Sequence, residues 1–459
     1  MIFLVANREA GLLSGLLDRN RLQNCNRREA IPMTYQNLKR ISAAACLGAV
    51  IAGSGFAQDA EGNAELKERL DEALSAPVER GDIPMAVGGI TTADEAIYTG
   101  AFGVRDIGGE DAVSEGSVFN IASMTKAIVA AAAMQLVEED KLDLDSPIST
   151  WLPVADRLMV LDSFDAEGKP VLREPKSEVT LRQLMTHTSG LGYTTWNEKL
   201  DQYVKATGPL PALDYEDEET WLRPLVFDPG EGWAYGESID WIGYLVKEVS
   251  GQPLEEYVTE NITGPLGMTD TGWTLTPEME SRRVTSHERK EDGSLVGTDW
   301  ITDQNPARDY GGGGMYSTVP DYMKFIRMIL NDGAVDGTQI LEPETVEMMA
   351  QNQMGDNRVS MLTTYDPSRS ADAEFFPGLE KTWGLSFMIN EQVAPTGRPA
   401  GSLAWAGLRN TFFWIDREND IGGVWMSQLL PFVDEKTVQS FYDFETAYYD
   451  TAETTAAAN

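Results

Sequence analysis

Ser123-Met124-Thr125-Lys126 is the only Ser-x-x-Lys in the chain, and it pairs a latent nucleophile with a latent base. Residues three apart at the start of a helix share a face, so the Lys126 amine can reach the Ser123 hydroxyl. Burial disfavours a charged amine, and a neutral lysine can take the serine proton and leave an oxygen nucleophile. The tetrapeptide alone also reads as an N-cap serine followed by a solvated lysine. The segment after it favours chemistry. Met124 to Val137 is apolar nearly all round, the pattern of a helix buried inside a protein and unusual company for a lysine.

Other reactive patterns are weaker. The chain has two histidines, His187 and His287, both expected in packing roles. Gly236-Glu237-Ser238-Ile239-Asp240 misses the Gly-x-Ser-x-Gly elbow at its last position, so a Ser-His-Asp triad is not expected. Asp140, Asp143 and Asp145 lack the glycine and terminal glutamate of a calcium loop and are expected at a solvated helix-to-loop junction. No metal and no cofactor is expected.

The elements that must hold Ser123 and Lys126 come from both ends of the chain. Asn63 to Val78 has Leu66, Leu70, Ala73 and Leu74 on one face, the spacing of an amphipathic helix, and strands are expected over Met85 to Thr91 and Glu95 to Phe102. From about Asp140 to Lys381 the chain reads as short helices and Gly/Pro-punctuated loops with few strands. Strand patterns return over Thr382 to Met388, Leu403 to Ala406, Thr411 to Ile415 and Ile421 to Ser427, before an amphipathic helix from Asp434 to Tyr449. The expected class is α/β plus all-α: a discontinuous α/β domain of residues 58–139 and 382–459 carrying a mainly helical domain of residues 140–381. A cleft between the two is the default active site.

Charge narrows the partners. The 459 residues carry a formal −37, which opposes binding to nucleic acid or anionic lipid, while 42% apolar residues and 11 tryptophans supply a core. Residues 1–32 are arginine-rich and polar, and their short apolar run Ile2 to Ala6 is too brief for a signal core. From Met33 the pattern is that of a signal peptide over 33–57: Lys39-Arg40, the apolar Ile41 to Ala52, and Gly55-Phe56-Ala57 with cleavage expected after Ala57. Met33 is then the expected start, residues 1–32 an upstream artefact, and the destination periplasmic or secreted. That cleavage removes Cys25 and Cys46, excluding thiol chemistry, and takes the charge to −41. No later stretch is long and apolar enough for a membrane span.

Phe119-Asn120-Ile121-Ala122-Ser123-Met124-Thr125-Lys126 resembles the nucleophile motif of the penicillin-binding-protein and β-lactamase-like serine hydrolases, in particular class C β-lactamases and their esterase relatives. Leu181 to Leu191, with His187 inside it, resembles the family's structural "LLTHTSGL" segment. Tyr235-Gly236-Glu237 falls where the family has its catalytic tyrosine, Gly311 to Thr318 is similar to its "GGGxxST" loop, and Trp405-Ala406-Gly407 stands at its third motif. The resemblance spans about residues 82 to 430. It implies a β-lactamase/DD-peptidase-like fold, an antiparallel sheet flanked by N- and C-terminal helices with an inserted helical domain. It also implies Ser123 as nucleophile, Lys126 and Tyr235 sharing acid and base work, and an oxyanion hole of the Ser123 and Leu408 N–H groups. Each such donor is worth roughly 3 kcal/mol in the transition state.

Two departures bear on substrate. Penicillin-recognising members have Tyr-x-Asn and Lys-Thr-Gly, whereas this chain has Glu237 and Trp405-Ala406-Gly407 as its substrate-binding residues. Losing the cation disfavours anionic β-lactams and leaves neutral esters unaffected, as in the esterases called family VIII. Arg409 is either a replacement cation or a surface arginine. The expected activity is cleavage of small-molecule carboxylic esters with short to medium acyl chains through an acyl-serine. The alternatives are a β-lactamase or D-alanyl-D-alanine carboxypeptidase, or a non-catalytic penicillin- or peptide-binding sensor.

Overall fold

Apolar strands from opposite ends of the chain build one antiparallel sheet of seven: β1 (Met85–Thr92), β2 (Ala96–Gly103), β3 (Lys381–Trp383), β4 (Met388–Asn390), β5 (Leu403–Gly407), β6 (Thr411–Asp416) and β7 (Ile421–Met426). Their spatial order is β3-β4-β5-β6-β7-β1-β2, so β1 joins the C-terminal strands directly, with Gly88 opposite Trp425 and Ile90 opposite Gly423. The structure, a computed structural model, describes residues 63–458; the expected upstream segment, the signal peptide, Cys25 and Cys46 lie outside the described residues.

Both faces of the sheet are covered, which explains why β1, β6 and β7 are buried along their length instead of alternating. Helices α1 (63–79) and α5 (Glu435–Ala458) lie on one face: a Cβ at Gly88 would meet Phe444 at 2.8 Å and Leu74 at 3.1 Å. On the other face lies α4 (Val319–Leu330), and a Cβ at Gly89 would come within 2.7 Å of Val319 and Met323. The absent side chains let that helix settle onto the backbone of the sheet. Its N-cap is Thr318, whose hydroxyl accepts from the Asp321 N–H, a contribution of about 1 kcal/mol.

Helix α2 (Thr125–Glu138) is Ala-rich, a composition that favours the helix and lets neighbours approach closely. It packs against α3 (Ser238–Ser250), and its residues from Thr125 to Met134 are all buried. Two expectations from the sequence are corrected. The single strand expected over Thr382 to Met388 is split into β3 and β4 by a tight turn at Gly384 to Phe387, with Ser386 at φ +76°. Between 140 and 381 there are hairpins that the sequence concealed, Val160–Phe164 with Pro170–Arg173 and Ser286–Arg289 with Leu295–Thr298. Strands of four or five residues such as Ser-His-Glu-Arg are too short and polar to show alternation.

Candidate active site

Ser123 stands in a 3-10 turn, Ala122–Met124, that runs straight into α2. Ala122 before it is held at φ +42°, a strained conformation for a residue with a Cβ, and the surroundings enforce it. Ile121 N–H donates to the Met315 carbonyl at 3.0 Å, and the Tyr322 hydroxyl, from α4, donates to the Met124 carbonyl at 3.0 Å. The turn is thus pinned on both sides of the serine, which is itself half-buried and faces a cleft of about 650 Å³.

Lys126 is 1% exposed, so the alternative of a solvated lysine is overturned. Its Nζ lies 3.1 Å from Ser123 Oγ, 3.3 Å from Tyr193 Oη and 2.5 Å from the Gly312 carbonyl oxygen. It also sits 4.8 Å from the centre of the Tyr235 ring and 5.3 Å from that of Tyr193. Among the described residues no carboxylate pairs with it. The Gly312 contact ties the amine to the Gly311 to Thr318 loop singled out in the sequence.

Two tyrosines lie against Lys126, where the sequence pattern singles out one. Tyr193 N–H donates to the Tyr235 carbonyl at 3.2 Å, which ties the two segments together. Lys126 donates to the Tyr193 hydroxyl and lies over the face of Tyr235, whose hydroxyl instead accepts from the Trp405 indole N–H at 2.9 Å. Burial, with Asp240 adding to it, holds the Tyr193 phenol well above the ordinary range, so it stays protonated. Tyr193 escapes the sequence pattern because it lies two residues beyond the Leu181 to Leu191 block; its place just after that block is the available signal.

Trp405, Ala406 and Gly407, expected as substrate-binding residues, are buried behind the cleft. Trp405 is 5% exposed and supports Tyr235 from behind. Gly407 lies against the nucleophile turn, where a Cβ would come 2.3 Å from the Ile121 carbonyl oxygen. That close approach carries the next residue, Leu408, to the cleft beside Ser123, and both line it. His187, inside the aromatic cluster, is fully buried, tilted against Tyr235 at 4.7 Å and edge-on to Trp383 at 5.1 Å. Its burial, reinforced by Lys126, keeps the imidazole well below its usual range and therefore neutral.

Glu237 does line the cleft, but its carboxylate meets Arg223 at 3.1 Å, which offsets the negative charge expected there. Asp240 beside it pairs with buried Arg308 at 2.7 Å. Arg409 is not the surface residue that one reading allowed. It is 5% exposed, lines the cleft and stacks over Trp300, with its guanidinium carbon 3.5 Å from the ring centre. Ser238 of the near-miss elbow is fully buried and shares a 3.0 Å hydrogen bond with Ser189. Asp145 pairs with Arg182 at 2.7 Å, and Asp143 accepts from the N–H groups of Asp145 and Ser146.

A serine on a strained turn, a buried lysine against it and an antiparallel sheet joined from both chain ends together define the β-lactamase and penicillin-binding-protein class of acyl-serine enzymes. The family model described as Beta-lactamase matches residues 70–448, and the chain belongs to that family. It is 34% identical over 378 residues to the acyltransferase mokF of Monascus pilosus, covering 79% of this chain and 90% of that one. It is 29% identical over 383 residues to a lovastatin esterase of Penicillium rubens, covering 80% and 94%. A mutant simvastatin synthase (LovD) of Aspergillus terreus has the same fold, with TM-score 0.73 and 31% identity over 85% of this chain and 98% of that one. The fold is β-lactamase-like, and the family's members include hydrolases and acyltransferases.

Proposed function

We propose that the chain cleaves carboxylic esters through an acyl-Ser123 intermediate. Lys126 Nζ, 3.1 Å from Ser123 Oγ and without a carboxylate partner among the described residues, is the observation that carries this reading. Lys126 Nζ takes the hydroxyl proton as Oγ attacks the acyl carbon, and the developing oxyanion is received by the Ser123 and Leu408 N–H groups. Collapse expels the alcohol, which takes the proton from the ammonium with Tyr193 and Tyr235 steadying that corner. Water then attacks the acyl-serine and its proton returns through Lys126, leaving the acid and free enzyme.

A cleft of about 650 Å³ suits short to medium acyl chains. Transfer of the acyl group to a second alcohol is the other reading, and it is favoured by the acyltransferase among the relatives. It differs only in which hydroxyl attacks the acyl-enzyme. Turnover of p-nitrophenyl acetate and butyrate, beside a chromogenic cephalosporin, tests the proposal. Esters should be cleaved, the cephalosporin far less, and Ser123→Ala should abolish ester cleavage together with the acyl adduct seen by intact mass. An unaffected Ser123→Ala rate would sink the mechanism. Adding a primary alcohol and measuring the new ester against free acid separates transfer from hydrolysis.

A further inference from the structure

In a protein of net charge −37, cations are scarce. Among the described residues every arginine but Arg327, Arg369 and Arg409 is in an ion pair with a carboxylate. Two of these three, Arg369 and Arg409, line the same cleft as Ser123. A buried guanidinium without a counter-ion is costly, because it surrenders hydration and gains no partner. Arg409 is 5% exposed, and among the described residues its one side-chain hydrogen bond goes to the Ser286 hydroxyl, through Nη1. Its other N–H groups have no protein acceptor among the described residues.

The surroundings hold this guanidinium ready. Trp300 lies flat against it, and the Leu429 N–H donates to the Arg409 carbonyl at 3.0 Å. A stacked and anchored guanidinium presents a fixed fork of donors, the geometry that matches a carboxylate. Burial lowers Arg409 to about 10, so it remains a cation at neutral pH. The acids at this end do not fill the site. Glu288 is held by Lys290 at 2.6 Å, and Asp303, exposed on its loop, accepts from the Asn305 N–H.

We propose that Arg409, with Arg369 at its rim and Trp300 behind it, forms a carboxylate subsite, so that the substrate is an ester carrying a free carboxylate. This rests on the reading of the chain as an acyl-Ser123 enzyme. Arg409 directly follows Leu408, the expected oxyanion donor, so the carboxylate lies about one extended side chain from the reacting carbonyl, the separation found in a monoester of a short dicarboxylic acid. The Lys-Thr-Gly cation lost at Trp405-Ala406-Gly407 is thereby replaced from a different position.

The test compares p-nitrophenyl hydrogen glutarate with its methyl ester. The acid should be preferred in kcat/KM by about tenfold or more, and sodium chloride should erode that preference. Within Arg409→Gln the ratio should fall about tenfold, and within Arg369→Gln, a change at an exposed side chain that spares the fold, about threefold. Binding of both compounds to the Ser123→Ala protein by calorimetry should show the same discrimination without turnover. Equal binding of both compounds to that protein, or unchanged ratios in both arginine variants, overturns the subsite. Discriminating binding with no turnover of either ester by the wild type leaves the subsite standing and overturns the acyl-enzyme reading.

Discussion

Two neighbouring parts of the cleft treat charge in opposite ways. Around Ser123, the Lys126 amine is surrounded by hydroxyls, one carbonyl and two aromatic faces, with no carboxylate pairing with it among the described residues. A carboxylate there would favour the ammonium and silence the base. Beside it, carboxylates are met by arginines: Glu237 by Arg223 and Asp240 by Arg308. The amine beside the serine thus sits among neutral partners, and the carboxylates that shape the cleft each meet an arginine. Lys381 makes the same point from outside the site. It is nearly as buried as Lys126, but it donates to the Leu379 carbonyl at 2.7 Å and lies 3.7 Å from Glu374, bonds that tie down a loop and leave no nucleophile beside it.

The largest expected effect breaks the neutral end. Ser123→Ala or Lys126→Met should each lower kcat for a neutral ester by at least about a thousandfold, with thermal unfolding little changed for Ser123→Ala. Steady-state kinetics beside a melting curve checks both. Next comes the charged wall. Asp240→Asn leaves Arg308 buried without its partner and should cost roughly 3 kcal/mol in denaturant unfolding, whereas Asp240→Leu with Arg308→Met should recover most of it. Failure of the double variant to recover would mean that the pair does more than compensate charge.

Smaller effects sharpen the contrast within the aromatic cage. Trp405→Phe removes the donor to Tyr235 and should lower kcat about tenfold with KM nearly unchanged, since Trp405 does not line the cleft among the described residues. A raised KM at constant kcat would restore Trp405 to the substrate wall. The smallest effect is that of pH on stability. His187 and His287 both have imidazoles held below the usual range by burial, so the folded chain refuses protons that the unfolded chain accepts below about pH 6.5. Their contribution is present above that pH and is lost as pH falls. Unfolding free energies at pH 6.5 and 5.5 measure the loss, which His287→Gln should reduce.

Much of the site is legible in the amino-acid sequence. Ser-x-x-Lys followed by an apolar helix marks a nucleophile and a buried base, because helical spacing places both on one face whatever surrounds them. Sheet strands at both ends of the chain stand out as apolar runs long enough to register, and the hairpin Ser286–Arg289 with Leu295–Thr298 does not. Burial of side chains at turns is also hidden. Arg409 lies just past the end of β5, where no periodicity separates a solvated arginine from a cleft one.

Local spacing and sustained apolar pattern are therefore enough to bring Ser123 and Lys126 together and to foresee the seam between chain ends. Three further facts belong to the folded chain alone: Tyr193 shares the lysine with Tyr235, Trp405 supports a tyrosine instead of facing substrate, and Arg409 is buried at the cleft. Each depends on contacts between residues far apart in the chain, because hydrogen-bond geometry and desolvation are set by the neighbours that folding brings together.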